Sequence, residues 1–456
     1  MGKLSRSRYQ PLFMLGLMGV AGVATVSVHQ IALIIGLWLL GYGWLQTLRK
    51  RNAHGEAHLY AAMIVGAEVY FKMAFAGLPW EFAKISVIIL LLTGMLVERA
   101  KRPFPLLILV YGLLLVPGIF IPEWQSMEQF KHDLMMNLSG EVTLIVSVIY
   151  FYKRKIAMPS FVQMMRMLIY GVTLMAVMVY VKTPDYATIH YGHGSNFEAS
   201  GGFGPNQVAA MFGVGVFVLG IMLLQNVRVF LYKWIDSLLL VLFTLQGLFT
   251  LSRGGLISAA IALAFTVVVL YLFSPKQVLG VLRVNPVKLA VVGLVMTGAF
   301  MVADSISGGA VFERYFNVDK YGEQIKEDYS THRIDVAKTD LKTFEENWET
   351  GVGVGGSAAF REQNLGFGAT HVEFSRLLAD HGVLGGVALL VMFGLPIGVF
   401  LRTGDARSRM VLVGFVSLSL LTMSHNAMRL AMPGFFYGLG FILLYYDQVV
   451  EQCKKR

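Results

Sequence analysis

The chain is dominated by apolar runs, each close to the roughly 20 residues that an α-helix needs to cross a bilayer. The runs start at Leu12 and recur almost to the end of the chain, with short polar segments between them. A hydrophobic fraction of 56% and a charged fraction of 14% fit a chain surrounded by lipid. The pattern predicts an all-α polytopic membrane protein with about 14 transmembrane helices. The predicted spans are 12–28, 31–48, 59–78, 82–97, 104–121, 134–152, 161–181, 207–225, 235–251, 254–273, 287–302, 382–401, 410–423 and 432–446.

The basic residues predict the orientation of these spans. Lys and Arg occur in short clusters between the apolar runs, and alternating the spans places most clusters on one side, with both termini cytoplasmic. The first run could instead be a signal peptide, but no convincing cleavage site follows it, so we interpret it as the first helix. The net charge of +10 is therefore a topology signal, and no nucleic-acid partner is expected. The single cysteine, Cys453, excludes an intrachain disulfide and a thiolate metal cluster.

The outward segments divide the chain into three parts. We expect residues 1–303 to hold transmembrane helices 1–11, residues 304–381 to form an outward-facing loop with amphipathic helices, and residues 382–456 to hold helices 12–14 and a cytoplasmic tail. In the loop, helical spacing from Thr331 to Trp348 predicts a helix lying on the membrane surface, with an apolar stripe formed by Ile334, Ala337, Leu341, Phe344 and Trp348. A glycine-rich hinge, Gly351 to Gly356, follows, and a second helical stretch is expected from about Thr370.

Two outward arginines are candidate anion ligands. Arg253 interrupts two apolar runs where a tight turn would suffice, and Arg333 stands at the start of the amphipathic helix. Each could also be structural: Arg253 as an interfacial residue that reaches headgroups, and Arg333 as the partner of Asp335. Together the two guanidinium groups could clamp a pyrophosphate.

His371 is the candidate general base. A neutral imidazole beside the membrane could take a proton from a sugar hydroxyl, although an isolated histidine is more often structural. Glu373 and Arg376 follow it and should share one helix face. His425, Asn426 and Arg429 form a second, weaker polar cluster.

The other polar residues favour plainer roles. His190 and His193 lack the carboxylate or cysteine that would complete a metal site, so no metal or cofactor is expected. Glu68 and Lys72 should neutralise each other within one span, and a neighbouring helix should satisfy Glu141. The glycine run lacks the lysine and the preceding strand of a nucleotide-binding loop.

Several segments, in this order, resemble the O-antigen ligase and O-antigen polymerase superfamily of bacterial membrane glycosyltransferases. The segments are Gly202-Phe-Gly-Pro-Asn206, Leu251-Ser-Arg-Gly-Gly255, Phe312-Glu-Arg-Tyr315, Arg333 followed by Glu346-Asn-Trp-Glu-Thr-Gly-Val-Gly-Val-Gly-Gly356, and the stretch from His371 to Gly386, HVEFSRLLADHGVLGG. They cover about the second half of the chain. The resemblance implies metal-independent, inverting transfer of a glycan from undecaprenyl pyrophosphate to an acceptor sugar hydroxyl at the periplasmic face of the bacterial inner membrane.

The resemblance also implies roles for individual residues. Arg253 and Arg333 would hold the pyrophosphate, and His371 would deprotonate the acceptor. Family members often carry asparagine after the histidine, whereas this chain has Val372 and Glu373, so either Glu373 orients His371 or the acceptor geometry differs. The matching segments add four supporting residues, namely Arg314, Glu373, Arg376 and Asn206.

The acceptor stays open at this point. It would be lipid A core for a ligase of lipopolysaccharide biosynthesis, or another carrier-linked repeat unit for a polymerase, and the overall resemblance leans to a ligase. A lipid-linked glycan transporter is the alternative from a different class, but transporters usually place ionisable residues near the midplane and show repeat symmetry. A non-enzymatic assembly scaffold would leave the outward arginines and histidine replaceable.

Overall fold

The computed structural model describes residues 9–99, 102–122, 126–192, 194–282, 286–319, 321, 323–324 and 332–445. This part of the chain is almost entirely helical, and its regular sheet consists of two three-residue strands, which pair in parallel. The predicted all-α class is therefore confirmed. Thr331, His193 and Cys453 lie outside the described residues.

The chain forms two compact units. Unit 1 comprises residues 1–80, 159–263 and 274–325, and unit 2 comprises residues 81–158, 264–273 and 326–456. The helices of unit 1 are α1 (Gln10–Ser27), α2 (Gln30–Lys50), α3 (Glu56–Gly66), α4 (Glu68–Ala74), α8 (Met158–Lys182), α9 (Pro205–Leu224), α10 (Lys233–Phe249), the first half of α11 (Arg253–Phe273), α12 (Pro275–Val281), α13 (Pro286–Ile306) and α14 (Ala310–Phe316), with a 3-10 turn at Glu198–Ser200.

Unit 2 holds the two strands and the remaining helices. Its elements are α5 (Phe82–Val97), α6 (Leu106–Leu115), a 3-10 turn (Pro117–Ile119), α7 (Met127–Phe151), β1 (Lys155–Ala157), α15 (Arg333–Glu346), α16 (Ser357–Leu365), α17 (Glu373–Arg402), α18 (Ala406–Asn426), α19 (Ala431–Leu439) and β2 (Leu443–Tyr445).

Eight described helices are long and apolar enough to cross a membrane, which makes this a multi-pass membrane protein. They are α1, α2, α7, α8, α9, α11, α17 and α18. A ninth candidate is a pair bent by 117°, formed by residues 292–306 of α13 together with α14. Other predicted spans are shorter or interrupted: residues 59–78 divide between α3 and α4 at Ala67, and α19 has nine residues.

Glycines set the closest helix contact in unit 2. Gly434 and Gly438 lie one turn apart on α19, and a Cβ atom added to them would lie 2.7 Å from the Leu144 nitrogen and 2.4 Å from the Ser147 carbonyl carbon of α7. Small residues at this spacing let two helix backbones approach, as is common in membrane proteins. The packing fixes the start of α19 and therefore the turn that precedes it.

Helix α17 is broken at Gly382, whose backbone is non-helical (φ 56°, ψ −139°). The glycine run supplies the hydrogen bonds that the break removes. The N–H groups of Val352 and Gly353 donate to the carbonyls of Ala379 and Asp380 (3.0 and 2.9 Å), and the Val383 N–H donates to the Trp348 carbonyl (2.7 Å).

The predicted flexible hinge is therefore wrong. Gly351 adopts a positive φ of 72°, and a Cβ atom there would lie 2.5 Å from the Gly382 nitrogen. Only glycine permits both that backbone conformation and so close an approach. The run is a clamp on the break in α17, and a helix, α16, follows it directly.

The predicted amphipathic helix is present, from Arg333 to Glu346, but its buried side is not the apolar stripe. Val336, Asp340 and Thr343 face inward, whereas Ile334 and Leu341 are 52% and 44% exposed. The orientation of the helix about its axis follows from the partners of Asp340, which are described below. The stripe that predicted contact with the membrane surface remains on the outside of the helix. The second helical stretch starts at Glu373, so His371 precedes the helix instead of leading it.

Candidate functional site

In unit 1, three predicted residues meet at the tight turn between α10 and α11. Arg253 Nη1 donates to the Arg314 carbonyl (2.9 Å), and Arg314 Nε donates to the Leu251 carbonyl (3.0 Å). Ser252 Oγ donates to Asn206 Oδ1 (2.8 Å). Both arginines are at least nine-tenths buried, so neither is a surface residue that reaches headgroups. We call this group the arginine corner.

In unit 2, Asp340 joins the three helices of the loop segment. The Asp340 carboxylate of α15 accepts from Arg361 Nη1 of α16 (2.6 Å) and from Ser375 Oγ of α17 (2.6 Å). Arg361 also donates to the Gly368 carbonyl (2.9 Å). Arg333 lies seven residues before Asp340, two helical turns away on the same side of α15, so these bonds also fix the face on which Arg333 stands.

Arg376 is the centre of a buried ionic network. Its guanidinium forms ion pairs with Glu373 one turn before it, with Asp380 one turn after it (3.1 Å) and with Glu141 of α7 (3.0 Å). Tyr111 of α6 donates to Glu141 (2.8 Å), which confirms that a neighbouring helix satisfies this buried carboxylate. Removing one member of such a network leaves an unpaired buried charge, which strongly destabilises the fold.

Asp380 connects this network to the glycine clamp. Its carboxylate accepts from the backbone N–H groups of Gly355 (3.3 Å) and Ser357 (3.2 Å). With Val352, Gly353 and Val354 also donating to main-chain carbonyls, the N–H groups of the run are used within the protein. This explains physically why the run is not a phosphate-binding loop.

The segment of His371 is tied to the turn between α18 and α19. The Ala427 N–H donates to the His371 carbonyl (3.1 Å), and the Met428 N–H donates to the Glu373 carboxylate (3.1 Å). Glu373 therefore holds the turn that carries Arg429. Among the described residues, His371 Nδ1 has no hydrogen-bond partner, so Glu373 does not orient the imidazole through that atom.

His371 stands in a cationic environment. Its pKa is lowered to about 3, first by burial and then by the positive charges of three arginines, Arg429, Arg333 and Arg361. Burial and the charge of Arg361 also lower the pKa of Arg429. A neutral imidazole among cations is suited to an anion with a reactive hydroxyl beside it. We call His371, Arg333, Arg361 and Arg429 the histidine–arginine cluster.

The predicted site residues thus fall into two groups. Asn206, Arg253 and Arg314 meet in unit 1, whereas His371, Arg333, Glu373 and Arg376 belong to unit 2. The pairing of Glu68 with Lys72 in α4 is confirmed at 2.9 Å. The described residues contain no group of three or more histidine, cysteine or acidic side chains arranged to hold a metal ion.

Arg361 is the member of the cluster that sequence reasoning missed. It lies on α16, a short helix that no apolar periodicity announces, and it is 2% exposed. An arginine four residues after Ser357, to which it donates (2.9 Å), was the available signal. Arg429 was visible in the sequence, but its place beside His371 depends on the turn described above.

The fold and the cluster define a multi-pass membrane protein with a histidine set among arginines. Residues 238–390, about a third of the chain, match the family model described as O-antigen ligase. This match confirms the resemblance of the chain to the O-antigen ligase superfamily. Members of this family are membrane glycosyltransferase-like enzymes, ligases or polymerases. No curated protein matches the chain.

Proposed function

We propose that the protein transfers a glycan from undecaprenyl pyrophosphate to a sugar hydroxyl of an acceptor, by an inverting displacement that needs no metal. The observation that carries the proposal is the histidine–arginine cluster. Charge on the leaving pyrophosphate requires cations, and the acceptor hydroxyl requires a base beside them. The cluster supplies both within one unit of the protein.

In the proposed step, His371 takes the proton of the acceptor hydroxyl as its oxygen attacks the anomeric carbon of the donor. The bond from that carbon to the pyrophosphate oxygen breaks, and the electron pair leaves with the pyrophosphate. Arg333 and Arg429 stabilise the charge that develops on the leaving group. One such contact is typically worth about 3 kcal/mol of barrier.

The low pKa of His371 has a mechanistic consequence under this proposal. Without substrate, burial and the arginine charges hold the imidazole neutral but make it a weak base. An anionic pyrophosphate beside the arginines would offset their charge and raise the pKa of His371. The donor would then activate the base, so that proton removal is coupled to donor binding.

The sequence adds the proposed setting. The basic clusters between the spans favour a topology with both termini cytoplasmic. The family resemblance implies the bacterial inner membrane and a site at the periplasmic face. Partners would be the lipid-linked donor, membrane lipids around the spans, and lipid A core or another glycan as acceptor. We lean to a ligase over a repeat-unit polymerase on the overall resemblance of the sequence.

The test is transfer by the purified protein in detergent, with a chelator present. A fluorescent undecaprenyl-pyrophosphate glycan is offered with lipid A core, with a second carrier-linked repeat unit, or with neither. Transfer to lipid A core alone supports the ligase, and transfer to the repeat unit alone supports the polymerase. Movement of the lipid across liposomes without transfer would favour the transporter.

The His371→Ala variant tests the base. We expect turnover to fall roughly 10³-fold while the donor still binds, because general-base catalysis contributes about 10²–10⁴-fold. The matched control is His132→Ala, which changes an exposed histidine of α7 beside Asp133 and should transfer at the wild-type rate. Normal transfer by His371→Ala would make His371 structural and contradict the assignment.

A further inference from the structure

The last two residues of α18, His425 and Asn426, carry buried polar atoms without partners. Both imidazole nitrogens of His425 and both amide atoms of Asn426 lack hydrogen bonds among the described residues. The residues are 6% and 0% exposed. Buried polar groups in native proteins nearly always have a partner, and a group left without one destabilises the fold.

These atoms belong to the neighbourhood of the histidine–arginine cluster. His425 lies within electrostatic reach of Arg333 and His371, and the Nδ1 atom of His371 is also without a partner. The residue after Asn426 is the one whose N–H binds the His371 carbonyl. Five unpartnered polar atoms on three residues therefore belong to the segments that this bond joins, the His371 segment and the end of α18.

The backbone at this point is strained. Ala427 has φ 48° and ψ −148°, a conformation that residues with a side chain rarely adopt. Its N–H bond to His371 and the neighbouring bond from Met428 to Glu373 hold the turn in place. Strain that the surroundings enforce clusters at active sites, ligand clamps and switch regions.

The chemistry of the unpartnered atoms selects the ligand. An amide and an imidazole offer both donors and acceptors, whereas the arginines nearby offer only donors and positive charge. A ligand that binds the amide and imidazole as well as the arginines has two parts joined directly to each other. One part is a neutral group that bears hydroxyl or acetamido substituents, and the other is an anion. A sugar bonded to pyrophosphate has this form.

We propose that His425 and Asn426 form a subsite for the sugar that is bonded to the pyrophosphate of the donor. The proposal rests on the proposed function and names which part of the donor these residues recognise. Asn426 precedes Arg429 by three residues in the same turn, so a donor held by Arg429 through its phosphates places its first sugar beside Asn426 and not its later ones.

The experiment compares three probes in nanodiscs. They are undecaprenyl pyrophosphate and the same lipid carrying either one hexose or one N-acetylhexosamine, and their dissociation constants are measured for wild type and for Asn426→Leu. We expect the variant to bind at least one sugar-bearing probe about tenfold more weakly, because about 1.4 kcal/mol of hydrogen bonding is lost. Binding of the sugar-free lipid should not change. A loss of affinity for the hexose probe indicates that the subsite recognises hydroxyl groups, and a loss for the N-acetylhexosamine probe alone indicates that it recognises the acetamido group.

Thermal unfolding separates recognition from structure. Asn426→Leu replaces unpartnered polar atoms by an apolar group of similar size, so its Tm should equal or exceed that of wild type. The matched control is Asn364→Leu, at an exposed asparagine of α16, which should change no affinity. If Asn426→Leu does not fold, His425→Gln carries the same comparison of probes.

The outcomes are distinct. If wild type binds no undecaprenyl pyrophosphate, the proposed function fails. If wild type binds all three probes with equal affinity, or if Asn426→Leu lowers the affinity for all three by the same factor, the donor function stands and the proposed subsite is wrong. Two results together would overturn the inference: a Tm of Asn426→Leu well below that of wild type, and ratios of the three dissociation constants that His425→Gln leaves unchanged. Both residues would then only stabilise the fold.

Discussion

The arginine corner of unit 1 and the histidine–arginine cluster of unit 2 use the same side chain in different surroundings. In the corner, Arg253 donates to the carbonyl of Arg314 and Arg314 donates to the carbonyl of Leu251, so the two arginines stabilise a turn. In the cluster, Arg333 and Arg429 act on the titration of His371. The corner's arginines are buried and held by main-chain carbonyls, whereas Arg333 and Arg429 are partly exposed beside a titratable group. The comparison teaches that the group an arginine acts on indicates its role.

The largest expected effect separates the two groups directly. Arg429→Gln should lower kcat/KM for transfer roughly 10²-fold, because a cation facing the leaving group is lost. Arg253→Gln should lower the Tm, since a buried guanidinium bound to a carbonyl is replaced. The predicted pyrophosphate role of Arg253 stays a prediction that the same assay tests. A fold-change for Arg253→Gln equal to that of Arg429→Gln, at an unchanged Tm, would erase the distinction.

A second prediction concerns the support of the cluster. Asp380→Asn should destabilise the protein by about 2 kcal/mol, because the amide cannot replace the charge-assisted bonds to Arg376 and to two N–H groups of the glycine clamp. Chemical denaturation in mild detergent measures it. Asp319→Asn, which changes a partly exposed loop carboxylate that accepts from two N–H groups of its own turn in unit 1, is the control. An unchanged midpoint for Asp380→Asn would mean that Asp380 does not stabilise the clamp.

The third prediction uses pH. The folded pKa of His371 is lowered to about 3 from 6.5, so the free protein keeps the imidazole neutral, and kcat/KM should stay flat from about pH 8 to pH 5. Arg333→Gln removes one of the charges that lower this pKa. The pKa then rises, and the acid limb of the profile moves toward higher pH. Arg253→Gln should leave the acid limb where it is in wild type, and a shift in that variant would contradict the assignment.

The smallest expected effect is a gain in stability. Ala427→Gly should stabilise the fold by about 1 kcal/mol, since glycine adopts the φ 48° conformation without strain. Differential scanning fluorimetry would show a higher Tm. The same change at Ala406, in the first turn of α18, should lower the Tm, because glycine is unfavourable within a helix.

Sequence patterns predicted what depends on residues close together in the chain. The apolar runs predicted most of the helices. Spacings of three and four residues predicted that Glu373 and Arg376, and likewise Glu68 and Lys72, lie on neighbouring turns of one helix face, where each pair meets. The turn at Arg253 followed from two apolar runs that meet there.

Contacts between distant residues were not predictable in this way. Asp340 and Arg361 are 21 residues apart, and the glycine clamp depends on the pairing of Gly351 with a break 31 residues later. Neither of these two contacts follows from a periodic spacing of residues along the sequence. The inward face of α15 depends on such contacts as well, since Asp340 binds Arg361 and Ser375 there, while the apolar stripe predicted to contact the membrane surface stays on the outside.

The break at Gly382 also has a consequence for biogenesis. The part of α17 after the break, residues 383–402, is about 20 residues long, enough at 1.5 Å per residue to cross ~30 Å of hydrocarbon. Its only charged residue is the terminal Arg402, whereas Glu373, Arg376 and Asp380 all precede the break. A charge at the centre of an inserting helix costs about 2.5–3.5 kcal/mol at the translocon. Because the ionic residues stand outside the inserting stretch, they can change during evolution without affecting membrane integration.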